Sequence, residues 1–322
     1  MRHIVFVLLA VALLASRADA TYSVVARDPD TGQLGVAVQT HWFGVGQLVP
    51  WAEAGVGAVA TQSLVDPSYG PLGLQLLRAG RTAEQALAGL LEADPNPQIR
   101  QVAIVDARGN VAAHTGDTCI PEAGHVIGED FSVQANLMDR DTVPAAMAAA
   151  YEAAEGDLAD RMMAALRAAQ GEGGDIRGQQ SAALLIVSGA PTGRVWQDVV
   201  VDLRVDDHPR PLDELERLLT VHRGYEKMNE GDLAIEAGDV DAAQRAYGAA
   251  QEILGDNLEA SFWHAVALTN AGEHDRAVDL FHEIFARGEN WRRLTPRLVE
   301  GGFLIADDAL LQRILATEED SR

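Results

Sequence analysis

The sequence predicts an α+β domain followed by an all-helical domain, and three observations lead to that prediction. Over residues 21–205, predicted strands and helices alternate in groups, which favours antiparallel sheets stacked with helices outside over a doubly wound parallel sheet. The charged, proline-bearing stretch at 206–211 marks a joint, and every later segment has a helical pattern. Two parts of the helical region also repeat each other. A length of 322 residues fits two domains.

Residues 1–20 have the layout of a secretory signal peptide. Arg2 and His3 precede an apolar run at 4–15, and Ala18-Asp19-Ala20 provides a small-residue cleavage site. The apolar run is too short to span a bilayer, and an uncleaved helical anchor is the alternative. We therefore expect cleavage after Ala20 and an exported protein, periplasmic or extracellular, without stable membrane insertion.

The predicted domain at 21–205 contains short strands rich in β-branched residues and bounded by turn-forming residues. The strands are expected at 21–27, 34–39, 56–62, 101–106, 111–114, 131–136, 180–188 and 195–205. Helical patterns predict the helices 72–78, 82–93, 142–154 and 158–170. Thr82 followed by Gln85 has the capping-box pattern of a helix start.

The helical region contains a 34-residue repeat. Ala237-Gly238, Asp241, Ala243 and Tyr247 are followed 34 residues later by Ala271-Gly272, Asp275, Ala277 and Phe281. This spacing resembles a pair of tetratricopeptide repeats, placed at 225–290, and a plain helical hairpin bundle is the alternative. Residues 206–224 are predicted to form a linker and a capping helix, and 291–322 the C-terminal capping helices. The concave side of such repeats commonly binds peptides or proteins.

Charge and cysteine content exclude several kinds of site. The 25 basic and 48 acidic side chains give a net charge of −23, and such a surface repels phosphate backbones and anionic lipids. Nucleic acid is therefore not an expected partner. Cys119 is the single cysteine, so the chain has no intramolecular disulfide and no Cys-x-x-Cys site, and its nine histidines lack a metal-binding spacing. We expect no metal and no cofactor.

Cleavage after Ala20 would make Thr21 the first residue of the mature chain. A free N-terminal threonine carries a hydroxyl nucleophile and an α-amine, whose ordinary pKa of about 7.7–8.0 lets it accept the hydroxyl proton near neutral pH. Thr21 also opens the first predicted strand directly, so both reactive groups would lie on a rigid sheet edge. This position predicts Thr21 as a catalytic nucleophile.

Several blocks of the region from Thr21 to Val205 resemble the DUF1028 family. The matching blocks are TYSVVARD at 21–28, GVAV at 35–38, AGVGAVATQ at 54–62 and GGDIRGQQSAA at 173–183. The resemblance implies membership of the N-terminal-nucleophile (Ntn) hydrolase superfamily, a four-layer αββα sandwich, and amide hydrolysis by the N-terminal residue. It implies no particular substrate.

The superfamily members of the proteasome type place a lysine beside the threonine. The only lysine here, Lys227, belongs to the helical half of the chain. An arginine could tune the α-amine instead, and Arg27 and Arg177 are the candidates.

Four further residues are predicted to support Thr21. Asn136, at a strand end, could stabilise the oxyanion that forms when threonine attacks an amide, or it could be an ordinary turn residue. Asp175 or Ser181 could hydrogen-bond the α-ammonium and set its pKa. The alternative for that loop is a turn held by an ion pair between Asp175 and Arg177.

Two other pairs have candidate roles. Gln62 and Ser63 end a predicted strand, where they could line the pocket or form a turn. Cys119 near His125 could be a thiol nucleophile pair, although a lone buried cysteine is the commoner state.

The sequence thus predicts an exported N-terminal-threonine amidohydrolase that cleaves a small-molecule or peptide amide through an acyl-enzyme. The alternative is a non-catalytic envelope binding or scaffold protein. In either case the C-terminal helices could bind a protein or peptidoglycan, the latter by analogy with extensions found in the family.

Overall fold

The computed structural model describes residues 21–316, and the chain divides into two units, Met1–Glu216 and Arg217–Arg322. The predicted signal peptide lies outside the described residues, as does the end of the predicted C-terminal cap at 317–322. Among residues 21–316 no helix combines the length and the hydropathy needed to cross a membrane.

The first unit contains two antiparallel β-sheets, which confirms the predicted α+β class. Its strands are β1 Thr21–Arg27, β2 Leu34–Thr40, β3 Pro50–Glu53, β4 Gly57–Ser63, β5 Arg100–Asp106, β6 Val111–Thr115, β7 Gly124–Gly128, β8 Phe131–Asn136, β9 Ser181–Val187 and β10 Val199–Val205. The six-stranded sheet has the order β10-β9-β2-β1-β8-β7, and the four-stranded sheet has the order β3-β4-β5-β6. The strand β1 therefore lies inside its sheet, with neighbours on both sides.

Helices pack on the outer faces of both sheets. They are α1 Tyr69–Arg78, α2 Ala83–Ala93, α3 Val143–Ala153 and α4 Leu158–Gly171, while the short α5 Val195–Asp198 is mostly exposed beside β10. Helices α1 and α2 contact the four-stranded sheet, and α3 and α4 contact the six-stranded one. Between the sheets lies a core of small and β-branched residues: Val25, Val36 and Val38 from one sheet and Ala58, Ala60, Ala103 and Val105 from the other. Such small side chains let the sheets approach closely.

Most element boundaries follow from local sequence signals. Strands 21–27 and 131–136 have the predicted bounds, and the capping box is confirmed, since Gln85 N donates to Thr82 Oγ1 at 3.3 Å while Thr82 N donates to Gln85 Oε1 at 3.2 Å. The prediction missed β3 and β7. The first begins with proline and has four residues, and the second is an edge strand bounded by glycines, so each gives a weak pattern.

The strand predicted at 195–205 is partly wrong. Residues Val195–Asp198 form one helical turn, and β10 begins only at Val199. The Asp198 carboxylate accepts hydrogen bonds from the backbone N–H and the hydroxyl of Thr192, at 2.7 and 2.6 Å. These bonds fold the segment back on itself, so the β-branched residues there do not extend the strand.

The second unit is helical throughout its described part. Helix α6, Pro211–Glu236, begins in the first unit, and α7 Val240–Leu254, α8 Leu258–Asn270, α9 His274–Arg287, α10 Glu289–Glu300 and α11 Asp308–Leu315 follow. One unbroken helix thus crosses residue 224, where the sequence predicted the end of a linker and capping helix. Helix α6 packs closely against the end of α7 at Gly224. A Cβ at residue 224 would lie 2.3 Å from the Leu254 side chain, so glycine allows this contact.

Positions related by the 34-residue repeat have equivalent environments. Gly238 and Gly272 follow helices and have positive φ angles of 75° and 82°, a conformation that favours glycine. Ala243 and Ala277 are fully buried, and Tyr247 and Phe281 lie in apolar cores. Residues that the repeat relates therefore have matching backbone conformation or burial.

Candidate active site

Thr21 is the first residue of the interior strand β1, and polar residues end the strands on both sides of it. It pairs with Thr40, the last residue of β2, and with Asn136, the last residue of β8. Side chains alternate along a strand, so Thr21 faces the same way as Ser23 and Val25, toward the four-stranded sheet. Antiparallel pairing thus brings together three residues that are far apart in the sequence.

A small cavity lies beside Thr21 between the two sheets. Its volume is about 10 Å³, close to the space that one water molecule needs. Polar groups from Thr21, Thr40, Gln62 and Ser63 line one part, and the remainder is lined by apolar side chains, namely Trp42, Val45, Leu48, Val49 and Val65. Gln62 and Ser63, for which the sequence left open a pocket or a turn, are among these lining residues.

Hydrogen bonds fix both the side chain and the main chain of Thr21. Its Oγ1 is 3.1 Å from Oγ1 of Thr40, to which it donates. Its carbonyl oxygen accepts from Gln62 Nε2 at 3.1 Å and from Asn136 Nδ2 at 3.4 Å. Only 2% of Thr21 is exposed, so these bonds form away from bulk solvent. The residue is held in one orientation by side chains from three strands.

A buried network of amide side chains extends from these contacts. Gln101 Oε1 accepts from Gln62 Nε2 at 2.8 Å and from Asn136 Nδ2 at 2.9 Å, while Gln101 Nε2 donates to the carbonyl of Ala135 at 2.9 Å. Ser23 Oγ donates to Gln62 Oε1 at 2.6 Å. A buried hydrogen-bonded network of this kind specifies one arrangement of the groups it joins. Asn136 donates both into this network and to the carbonyl of Thr21.

The Asp175 carboxylate joins the loop after β2 to the loop before β9. This side chain is fully buried, accepts from His41 N at 2.7 Å, and pairs with Arg177 Nη2 at 2.9 Å. It also accepts from the backbone N–H of Arg177 at 2.9 Å. The structure therefore contains the ion-paired turn that the sequence allowed, and that turn holds the backbone that follows Thr40.

Ser181 holds the same loop from the other side. Its hydroxyl donates to the carbonyl of Trp42 and accepts from Val45 N at 3.2 Å. Trp42 and Val45 line the cavity, so Ser181 shapes the pocket through the backbone of its lining residues.

Two non-glycine residues beside the site have left-handed backbone conformations. Ser63, with a φ of 72°, directly follows Gln62, and Leu137, with a φ of 57°, directly follows Asn136. Such conformations cost about 1–3 kcal/mol each and are enriched at functional sites. Both turn the chain immediately after an amide side chain that bonds to Thr21.

Two of the sequence-based alternatives do not fit the structure. Arg27 stands at the other end of β1 and pairs with Asp130 at 3.0 Å. Six strand steps separate it from Thr21, which is about 20 Å. Arg27 therefore cannot tune an amine at Thr21, and this interpretation was wrong.

The Cys119 and His125 side chains bind to different partners. Cys119 Sγ donates to the carbonyl of Arg100 at 3.4 Å, and burial raises the pKa of its thiol, which opposes thiolate formation. His125 Nδ1 lies 2.9 Å from Thr115 Oγ1, and burial lowers the pKa of its ring. The arrangement has no feature of an activated thiol pair.

Sequence reasoning missed Thr40, His41 and Gln101. A signal for Thr40 was present, because the turn at 28–32 fixes a register in which residue 40 opposes residue 21. His41 and Gln101 carry no such signal, since their roles depend on loop and sheet packing. Within residues 21–316 no group of three or more histidine, cysteine, aspartate or glutamate side chains could hold a metal ion.

Comparison with known proteins places the first unit in a family. No curated protein is similar enough to this chain to count as a match. The crystal structure of protein SPO2555 from Silicibacter pomeroyi, itself assigned to the DUF1028 family, is 32% identical with a TM-score of 0.57, over 70% of this chain and 91% of that one. The family model for DUF1028, a family of unknown function, matches residues 21–215. The chain belongs to the DUF1028 family.

Proposed function

We propose that this protein is an exported N-terminal-threonine amidohydrolase. The observation that carries the proposal is the position of Thr21, which directly follows the predicted cleavage site and begins an interior strand with its hydroxyl beside a cavity. A residue freed by cleavage at this position would present its hydroxyl and its α-amine together at a rigid site.

The arrangement of layers in the first unit supports the same proposal. Two antiparallel sheets face each other and helices pack outside both. This is the order of layers expected for an Ntn hydrolase, the superfamily that the sequence resembles. The site also lies between the sheets at a strand start, where an N-terminal residue would be held.

The proposed reaction needs only Thr21 and water. Oγ1 attacks the carbonyl carbon of the amide while its proton passes to the α-amine. The carbon–nitrogen bond then breaks, the leaving amine takes that proton, and an ester of Thr21 remains. Water attacks the ester carbon and gives a proton to the α-amine. That proton returns to Oγ1 as the carboxylic acid leaves.

The neighbouring residues would position these groups. Thr40 accepts from the Thr21 hydroxyl and so directs Oγ1, while Gln62 and Asn136 fix the carbonyl of the same residue. Asp175 and Ser181 would hold the loop that lines the cavity. This assignment makes Asn136 a positioning residue, whereas the sequence left open an oxyanion donor or an ordinary turn residue.

For the helical region we propose a pair of tetratricopeptide-like repeats. The support is the equivalence of repeat-related positions: paired glycines with positive φ, paired buried alanines, and an aromatic residue in each core. Stacked helical pairs of this kind bury a continuous core and leave a groove on one side.

N-terminal analysis of the exported protein tests the catalytic proposal. The chain should be expressed with residues 1–20 in a Gram-negative host, purified from the periplasm, and analysed by intact mass and N-terminal sequencing. We expect a start at Thr21. Treatment with a β-lactone, an electrophile that acylates threonine hydroxyls, should then add one acyl group to the peptide that contains Thr21.

Two control chains separate the contribution of the α-amine to labelling from that of the hydroxyl. Thr21→Ala removes the nucleophile, and one glycine inserted between residues 20 and 21 keeps the hydroxyl but removes the amine from that residue. Both should remain unlabelled, whereas Thr21→Ser should still react. A mature chain that starts elsewhere, or equal labelling of the glycine-inserted chain, would contradict the proposal.

A non-catalytic binding protein is the second candidate function. The observation that favours it is the small cavity, which at about 10 Å³ holds no substrate amide without a local opening. If the chain starts at Thr21 but neither reacts with the β-lactone nor hydrolyses amides, this second candidate replaces the first.

A further inference from the structure

The second unit contains a groove whose lining differs from the general surface. It lies along helices α6 and α8 and has a volume of about 490 Å³, which is within the range of about 300–1,000 Å³ typical of ligand sites. We call it the acidic groove, defined by Tyr225, Asp232, Glu236, Glu259, Trp263 and Phe303, which are among its lining residues.

The floor of the acidic groove is apolar and its edge is aromatic. Met228, Val266 and Ala267 are buried at the floor. Phe303, at the edge, is 61% exposed, and Tyr225 is 36% exposed. Exposed aromatic rings beside an apolar floor can bind an apolar side chain and can also contact a cation through their faces.

The charges of the acidic groove have one sign. Asp232, Glu236 and Glu259 line it, and no lysine, arginine or histidine is among the lining residues in the described part of the unit. Tyr247 Oη donates to Asp232 Oδ1 at 2.5 Å, and Tyr225 Oη donates to Glu259 Oε2 at 2.9 Å. A carboxylate has about four acceptor positions, so one bond from a tyrosine leaves each able to accept from a ligand.

General acidity of the protein does not account for this lining. A second cavity of about 420 Å³ in the same unit is lined by Asp241 and Glu252 together with Arg245, Arg276 and His264. Both signs of charge are present there. The absence of basic side chains among the described lining residues is therefore a property of the acidic groove itself.

We propose that the acidic groove binds a basic peptide segment in which arginine or lysine flanks an apolar side chain. The carboxylates and aromatic faces match the cationic groups, and the buried floor matches the apolar one. The inference does not depend on catalysis by Thr21.

Fluorescence anisotropy with the full exported chain tests this inference. The probes are fluorescein-labelled, N-acetylated hexapeptides in which two arginines flank leucine, phenylalanine or tryptophan. One matched set has glutamate in place of arginine, and another has alanine in place of the apolar residue. We expect at least one arginine peptide to bind about tenfold more tightly than both of its matched peptides. We also expect weaker binding when NaCl is raised from about 0.05 M to about 0.5 M.

Charge-matched variants assign the binding to the acidic groove. The double variant Glu236→Gln/Glu259→Gln should weaken binding about tenfold, whereas Glu283→Gln/Glu300→Gln, at exposed positions outside the groove, should change it less than about twofold. Phe303→Ala, a truncation at an exposed edge, should also weaken binding.

The proposal is overturned by any of three results. No arginine peptide binds up to about 1 mM, or the glutamate peptides bind equally well, or both double variants weaken binding to the same extent. Circular dichroism of each variant shows whether it is folded. If Glu236→Gln/Glu259→Gln does not fold, Phe303→Ala still tests binding in the groove.

Discussion

Gln62 Nε2 on β4 donates to the carbonyl oxygen of Thr21 on β1 at 3.1 Å, so the four-stranded sheet holds the first residue of the six-stranded one. The same side chain donates to Gln101 and accepts from Ser23. Gln62 is 1% exposed, which prevents bulk water from replacing these bonds. The orientation of Thr21 is therefore a property of both sheets together.

Replacing Gln62 by leucine should destabilise the first unit by about 2–4 kcal/mol. The variant leaves the Ser23 hydroxyl and the Gln101 amide oxygen with fewer partners in a buried region. Urea unfolding followed by circular dichroism measures the change. Gln75→Leu, at an exposed position of α1, is the matched control and should stay within about 0.5 kcal/mol. Equal effects of the two variants would show that the network contributes nothing.

Removing the Asp175 carboxylate should cost more stability than removing its arginine partner. Asp175→Ala takes the acceptor from His41 N and from both the backbone and the side chain of Arg177, and each buried donor left without a partner costs about 1–3 kcal/mol. Arg177→Ala should cost less, because the carboxylate keeps the backbone N–H groups of His41 and Arg177. Denaturant unfolding of both variants checks the order, and a larger loss in Arg177→Ala would contradict this account.

Asp94 should contribute stability at neutral pH that is lost in acid. Burial opposes its ionisation, but Arg100 Nε at 2.7 Å, the backbone N–H of Asn96 and the Tyr69 hydroxyl outweigh it and lower the pKa of the carboxyl from 3.8. Because the folded pKa lies below the unfolded one, the contribution is complete above about pH 4 and fades as pH falls through the folded pKa.

The variant Asp94→Asn should therefore be less stable than the parent at pH 7, and the difference should shrink below about pH 4. Urea unfolding at several pH values measures this. Asp117→Asn, at an exposed position, is the control. A difference that stays constant down to about pH 2 would contradict the role of Asp94.

Two glycine-to-alanine changes should have opposite effects on stability. A Cβ at Gly116 would lie 2.1 Å from the backbone oxygen of Gln98, which cannot move easily, so Gly116→Ala should destabilise by about 1–3 kcal/mol or more. Gly89 lies on an exposed face of α2, where an added Cβ would have no atom within 4 Å apart from the adjacent backbone of its own helix. Alanine there should stabilise by about 0.5–1 kcal/mol. Thermal unfolding of both variants checks the signs.

Local signals in the sequence determined much of the first unit. Strands β1 and β8 have their predicted bounds, and β1, with three β-branched residues, ends at the turn at 28–32. The Thr82 cap follows from a pattern four residues long. The short turn at 28–32 also sets the register that places Thr40 opposite Thr21. In each case the physical cause lies within a few residues of its effect.

Only the tertiary structure decided how the candidate site is assembled. Gln62 reaches the carbonyl of Thr21, and Asn136 reaches Gln101, only because the two sheets pack face to face. The contacts of Asn136 with Thr21 and of Gln62 with Gln101 depend on strand pairing within each sheet. Arg27 lies at the far end of β1, a distance that follows from the spacing along that strand, whereas Arg177 pairs with a buried carboxylate. Contacts such as that ion pair and those between the sheets are set by packing between segments distant in the chain, and no spacing along a single strand or helix records them.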